Sequence, residues 1–193
     1  MRISTTRWPA GAAQRGFTLV EFMMAVLLSG IIMTGILTTN LQLMRSGLRV
    51  TQYAEMSSQV RRGLEQFEGD VKSAITITWN GASDITLTLP SQAGTTSQVT
   101  YAWTSATQSF FCVPGASSAV TAGRIYLVNG IPTLSDGSAG CIFARYDKDG
   151  AAASTDAATK KVQVSLNAVR TARTAANSTD TAVSAIYVLR NKP

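Results

Sequence analysis

Phe17 to Leu37 is an unbroken run of 21 residues, apolar except for Thr, Ser and a single acid, Glu21. A helix rises about 1.5 Å per residue, so the run spans roughly 30 Å, one hydrocarbon thickness of a bilayer. Glu21 is the only acidic residue in the first 54 positions. A carboxylate at the centre of a spanning helix costs roughly 2.5–3.5 kcal/mol, so an acid kept there is a functional-site hypothesis in itself. Residues 1–16 carry Arg2, Arg7 and Arg15 and no acid. By the positive-inside rule they should stay on the cytoplasmic side. A secretory signal would instead have an apolar core of about 7–15 residues followed by a small-x-small cleavage site.

The stretch Gly16-Phe17-Thr18-Leu19-Val20-Glu21, behind a basic leader and ahead of a membrane-length run, resembles the cleavage and methylation motif of type IV prepilins and pseudopilins. The resemblance implies that a membrane-embedded prepilin peptidase cuts between Gly16 and Phe17 and methylates the new amine of Phe17. The alternative is an uncleaved single-pass anchor. Phe17 and Glu21 are four residues apart, which predicts one shared helix face. The resemblance further implies an assembly role for Glu21, pairing with the terminal amine of a neighbouring subunit. An ammonium and a carboxylate taken into lipid each need the other. The plainer role for Glu21 is to stabilise the helix N-terminus through the macrodipole. Within the span, Ala25 with Ser29 and Gly30 with Thr34 form small-xxx-small pairs that let helix backbones approach closely. Gly30 matches a glycine common in pilins. Thr38 stands where major pilins often carry a helix-kinking proline.

The helix is expected to continue to about Ser73. Tyr53, Met56, Val60, Leu64, Phe67 and Val71 recur at spacings of three and four, an apolar stripe suited to packing on a globular head. Beyond it the chain reads as β. Ala74–Trp79 and Asp84–Leu89 alternate with period two around 80–83, a hairpin pattern. Ser97–Thr104 and Ser109–Val113 form a second pair. Arg124–Val128 and Ile131–Leu134 flank Asn129-Gly130, a short-turn signal. Ile142–Tyr146, Lys161–Ala168 and Val183–Leu189 are further strand candidates, and Ala151–Ala158 and Thr171–Thr181 read as loops. The expected class is α+β and pilin-like: a long N-terminal transmembrane and amphipathic helix packed on a C-terminal antiparallel β-sheet head. The expected division is a cleaved leader at 1–16, a transmembrane half at 17–37, an amphipathic half at 38–73 and a β-rich head at 74–193. The head is large enough to hold one core.

Cys112 and Cys141 are the only cysteines. In a head carried across the membrane, an even pair reads as a disulfide, which would contribute roughly 3 kcal/mol in the chain-entropy model. Major pilins place theirs nearer the C-terminus. The formal charge of +6 includes the three leader arginines. Basic residues gather towards the end of the chain, among them Arg145, Lys148, Lys160, Lys161, Arg170, Arg173, Arg190 and Lys192. Such a patch could attract DNA phosphates, yet no aromatics are interleaved, and scattered surface charges ordinarily only solubilise. Asp147, Asp149 and Asp156 offer oxygens like the start of a calcium loop, but the distal bidentate Glu is missing and a simple turn explains them. The chain has no His, no Cys-x-x-Cys and no Gly-rich phosphate loop. Nothing in it suggests an enzyme, a cofactor or a metal.

In the head, Phe143–Asp147, Val162–Leu166 and Ile186–Asn191 look like segments of W-type minor pilins and J-type minor pseudopilins. Retention of Glu21 argues against the K-type tip pseudopilin. The resemblance implies an inner-membrane subunit with a periplasmic head that joins other minor pilins or pseudopilins and primes or caps a type IV pilus. The alternatives are a J-like minor pseudopilin of a type II secretion system and a DNA-binding minor pilin of natural transformation.

Overall fold

The computed structural model describes residues 16–91, 94–170 and 179–192. Helix α1 runs Leu19–Ser73 over 55 residues. Eight strands follow: β1 (Thr76–Gly81), β2 (Asp84–Pro90), β3 (Thr96–Thr104), β4 (Ser109–Pro114), β5 (Ile125–Asn129), β6 (Cys141–Tyr146), β7 (Lys161–Arg170) and β8 (Thr179–Val188). The α+β class expected of the sequence is the one observed. The chain divides into two compact units, Met1–Ser46 and Gly47–Pro193.

In the first unit the described part is the N-terminal portion of α1, and every residue of it is exposed. Leu27, Ile31 and Leu43 are each more than 60% exposed. A helix apolar on all faces, with none of them buried by its own chain, needs an apolar environment from outside. Among the described residues α1 is the one helix long and apolar enough to cross a membrane. Its threonines fit that setting. Thr34 Oγ1 donates to Gly30 O at 2.8 Å and Thr39 Oγ1 to Gly35 O at 2.9 Å. Thr38 Oγ1 lies within hydrogen-bonding distance of both Thr34 O and Gly35 O. Each hydroxyl is thus satisfied inside the helix, as hydrocarbon requires.

The second unit contains the rest of α1 and all eight strands. Met56, Val60, Leu64, Phe67 and Val71 are buried along one helix face, as their spacing predicts. Tyr53, placed in the same stripe by its spacing, is 50% exposed because it lies one turn short of the core. Gly63 joins the buried face instead: a Cβ there would lie 3.1 Å from Val128 Cγ2 and 3.2 Å from Leu127 Cβ. No hydrophobicity count could nominate it.

The strands make two antiparallel sheets, ordered β1-β2-β3-β4-β5 and β6-β7-β8. The first hairpin pairs Ile77 with Leu87 and closes at Gly81–Asp84. The sheets meet through specific backbone bonds. Phe143 N–H donates to Ala82 O at 2.7 Å and Val169 N–H to Gly130 O at 2.6 Å. Their inner faces and α1 share one core with Phe67 at its centre. Its ring lies 4.9 Å from Tyr101, 5.6 Å from Tyr187, 5.7 Å from Phe143 and 6.2 Å from Phe110.

Two expectations are corrected. Ile131–Leu134 is not a strand, so Asn129-Gly130 does not close a hairpin. Gly130 takes φ +78°, and a Cβ on it would come within 2.6 Å of Val169 O. The glycine therefore serves a close backbone approach where the chain passes from one sheet to the other. Ile131 N–H is satisfied by Gln108 O at 2.7 Å rather than by a partner strand. β8 begins at Thr179, inside the stretch expected to be a loop, because Thr179–Ala182 continue the ladder against Asn167–Arg170.

Candidate functional site

The polar site of the first unit is at the tip of α1. Thr18 stands outside the helix and its C=O accepts from Phe22 N–H at 3.2 Å, the first helical bond. Its hydroxyl accepts from Glu21 N–H at 3.3 Å. In return, Glu21 Oε2 accepts both Thr18 N–H and Thr18 Oγ1–H, each at 2.9 Å. This is a reciprocal capping box, in which the N-cap hydroxyl and the acid three residues on satisfy two orphan helix-end donors. Oε1 of Glu21 has no partner among the described residues. The carboxylate is thus fixed by one oxygen and open at the other.

That arrangement corrects the expected face-sharing of Phe17 and Glu21. An N-cap residue has non-helical dihedrals, so Phe17, one residue earlier, lies outside α1 and is 89% exposed. Gly16 is likewise described and exposed. The leader arginines Arg2, Arg7 and Arg15 lie outside the described residues. Thr18 is the site residue that sequence reasoning passed over, although Thr-x-x-Glu ahead of an apolar run is a capping-box signature. Further along the same unit, Gly30 and Thr34 form a shallow notch with Val26, Leu27 and Ile31. One of the expected small-residue pairs thus lies on the exposed surface.

The polar groups of the head serve the fold. Tyr101 hydroxyl donates to Asp70 Oδ2 at 2.6 Å, tying β3 to α1. Burial, then the bond to Asp70, pushes the Tyr101 pKa far above the ordinary phenol range. Cys112 and Cys141, expected to form a disulfide, are both free and buried. They stand on strands of different sheets, and Cys112 Sγ accepts instead from Gln66 Nε2 at 3.4 Å. Burial raises the Cys112 pKa and pushes that of Cys141 up to about 12. Both thiols therefore stay protonated and poorly nucleophilic at neutral pH.

The remaining candidates disperse. Asp147 Oδ1 accepts the N–H groups of Asp149, Gly150 and Ala151 at 2.8–2.9 Å, so it organises its own turn. Asp156 pairs with Arg145 and accepts Trp79 N–H at 3.2 Å, which takes it away from that turn. Several basic residues of the C-terminal patch are engaged within the head. Arg145 stacks 5.0 Å from the Trp79 ring centroid, Lys192 Nζ donates to Asp156 O and Thr159 O, and Lys160 Nζ donates to Lys192 O. Arg173 and the Arg170 side chain lie outside the described residues.

From Leu19 to Ser46, α1 is exposed and predominantly apolar, with Glu21 capping its tip, which fits a membrane anchor. Residues 11–37 match the prokaryotic N-terminal methylation motif. That match supports recognition of the chain as a type IV prepilin or pseudopilin, and the long apolar helix followed by antiparallel sheets is the pilin-like architecture. No curated protein matches the chain.

Proposed function

We propose that this chain is a minor type IV pilin-like subunit that primes or caps assembly of a pilus. In this reading prepilin peptidase cuts between Gly16 and Phe17, the Phe17 amine is methylated, and Phe17–Leu37 seats the subunit in the inner membrane with residues 74–193 as a periplasmic head. The observation that carries it is the capping box just past the methylation-motif cleavage point. It holds Glu21 at the helix tip with Oε2 engaged and Oε1 open. A neighbouring subunit's charged amine, poorly solvated in lipid, is the natural partner for that free oxygen.

A minor rather than major role is supported by Thr38 in place of the usual proline and by the head segments that resemble W-type minor pilins. The J-like pseudopilin reading rests on the same head segments, and the identity of the copurifying subunits separates the two. The test is mass spectrometry of the mature N-terminus together with copurification. The expected results are a methylated Phe17 terminus and substoichiometric association with other prepilin-like subunits. A working chain that keeps its leader would overturn the proposal.

A further inference from the structure

Asn-Gly occurs twice in the chain, at Asn80-Gly81 and at Asn129-Gly130. The dipeptide has a chemistry of its own. The backbone nitrogen of the glycine can attack the side-chain carbonyl carbon of the asparagine, and a glycine has no Cβ to hinder the approach. The fold treats the two copies differently.

Asn80 is pinned. Its Nδ2 donates to Asp84 Oδ1 at 3.0 Å and to Thr86 Oγ1 at 2.9 Å, and Gly81 stands in the hairpin ladder opposite Asp84. Ring closure there would have to break both side-chain bonds. Asn129 is exposed, and neither its side-chain amide nor the N–H of Gly130 makes a hydrogen bond among the described residues. Asn129 is also the last residue of β5, an outer strand, with Ser109 opposite it. Only that terminal pair must yield for its backbone to turn from extended to attacking geometry. The two Asp-Gly pairs, where a similar ring can close, have their glycine nitrogens engaged. Gly137 N–H donates to Leu134 O at 2.9 Å and Gly150 N–H to Asp147 Oδ1 at 2.8 Å.

We infer that Asn129 is a site of spontaneous deamidation and that the fold protects Asn80 from the same reaction. The Gly130 nitrogen bonds to Asn129 Cγ as the Cγ–Nδ2 bond breaks. Nδ2 leaves as ammonia, taking up the proton that the Gly130 amide gives up. One water then opens the cyclic imide at either of its two carbonyl–nitrogen bonds. Opening at Cγ restores the ordinary backbone with an aspartate side chain. Opening at the main-chain carbonyl leaves isoaspartate, whose backbone runs through Cγ and is one carbon longer.

The longer product falls where the chain crosses between the sheets. Gly130 O accepts Val169 N–H at 2.6 Å, Ile131 N–H donates to Gln108 O at 2.7 Å, and a Cβ on Gly130 would already lie 2.6 Å from Val169 O. An extra main-chain carbon has no room there without displacing one of those bonds, so isoaspartate should loosen the join between the sheets.

The test holds the full chain in detergent and mildly alkaline buffer, folded or with denaturant, while peptide mapping by mass spectrometry follows both sites. In the folded chain Asn129 should convert at least about tenfold faster than Asn80, where two hydrogen bonds must break first. The difference should vanish in denaturant, where both are plain Asn-Gly. Equal rates in the folded chain, faster conversion at Asn80, or an Asn129 that reacts only after unfolding would overturn the inference. Asn129→Asp carries the new charge on an ordinary backbone. Its unfolding midpoint should lie above that of the isoaspartyl chain, and a midpoint at or below it would remove the effect assigned to the longer backbone.

Discussion

α1 behaves as two different helices. From Leu19 to Ser46 it is apolar on every face and buries none of them. From Met56 to Val71 it buries a single stripe and shows charged pairs such as Arg61–Glu65 to solvent. The same element therefore meets two solvents. Where apolar residues encircle a helix, the partner is outside the chain: lipid, or other helices of its kind. Where they fall every three or four residues, the partner is the protein's own core. The first region contributes little to head stability. The second anchors it, because Phe67 alone touches four aromatic rings.

Mutation can break that contrast most directly at its strongest point. Phe67→Ala should cost the head about 3–5 kcal/mol, a large part of an ordinary domain's stability. Leu28→Ala, an equally apolar truncation in the first region, should leave head unfolding within about 0.5 kcal/mol. Thermal denaturation of the detergent-solubilised chain compares the two. Equal losses would show that the regions are not separate.

Tyr101→Phe leaves the Asp70 carboxylate without its donor at the seam between α1 and β3. It should destabilise the head by about 1–3 kcal/mol, read from the midpoint of chemical unfolding. Thr18→Ala removes the hydroxyl half of the capping box and should cost about 1 kcal/mol, confined to the first turn of α1. Amide exchange at Val20 to Phe22 would report it while the head transition stays put. Glu21→Val should leave cleavage after Gly16 intact yet reduce incorporation into assemblies, scored by copurification. Undiminished incorporation would remove the assembly role assigned to that acid.

Alkaline pH separates the regions with the gentlest perturbation. Cys112, Cys141 and Tyr101 all hold their protons more tightly in the folded head than in an unfolded chain. The unfolded chain therefore binds fewer protons as pH rises, and linkage makes stability fall. The stabilisation is fully present below the ordinary thiol range of about 8.5 and declines above it, towards the value of about 12 for Cys141. Cys141→Ala should flatten part of that slope. Helicity of residues 19–46, which hold no such group, should not change over the same range.

Legibility followed the range of the interactions. The hairpin of β1 and β2 and the strands β3 and β4 could be read to within a residue or two, because period-two alternation and turn residues are local signals. The capping box was equally local and was legible in Thr18 and Glu21 together, although Glu21 drew notice only for its charge. Gly130 looked like a hairpin turn because its sequence cannot say that Val169 O, 39 positions away, needs the space of its missing side chain. Cys112 and Cys141 are not settled by their number either: an even count suggests a bond, while in the closed head both are free and buried, on strands of separate sheets.

Length, apolarity and the placing of one acid between Gly16 and Leu37 by themselves determined that this chain seeks a membrane and carries a methylation-motif N-terminus. Those properties are sums over neighbouring residues and need no fold to express them. Only the tertiary structure decided that the strands divide into two sheets and that Gly63 belongs to the buried face. Each depends on which backbone groups meet across long separations, and the requirement that buried N–H and C=O groups find partners is settled only when the whole head has closed.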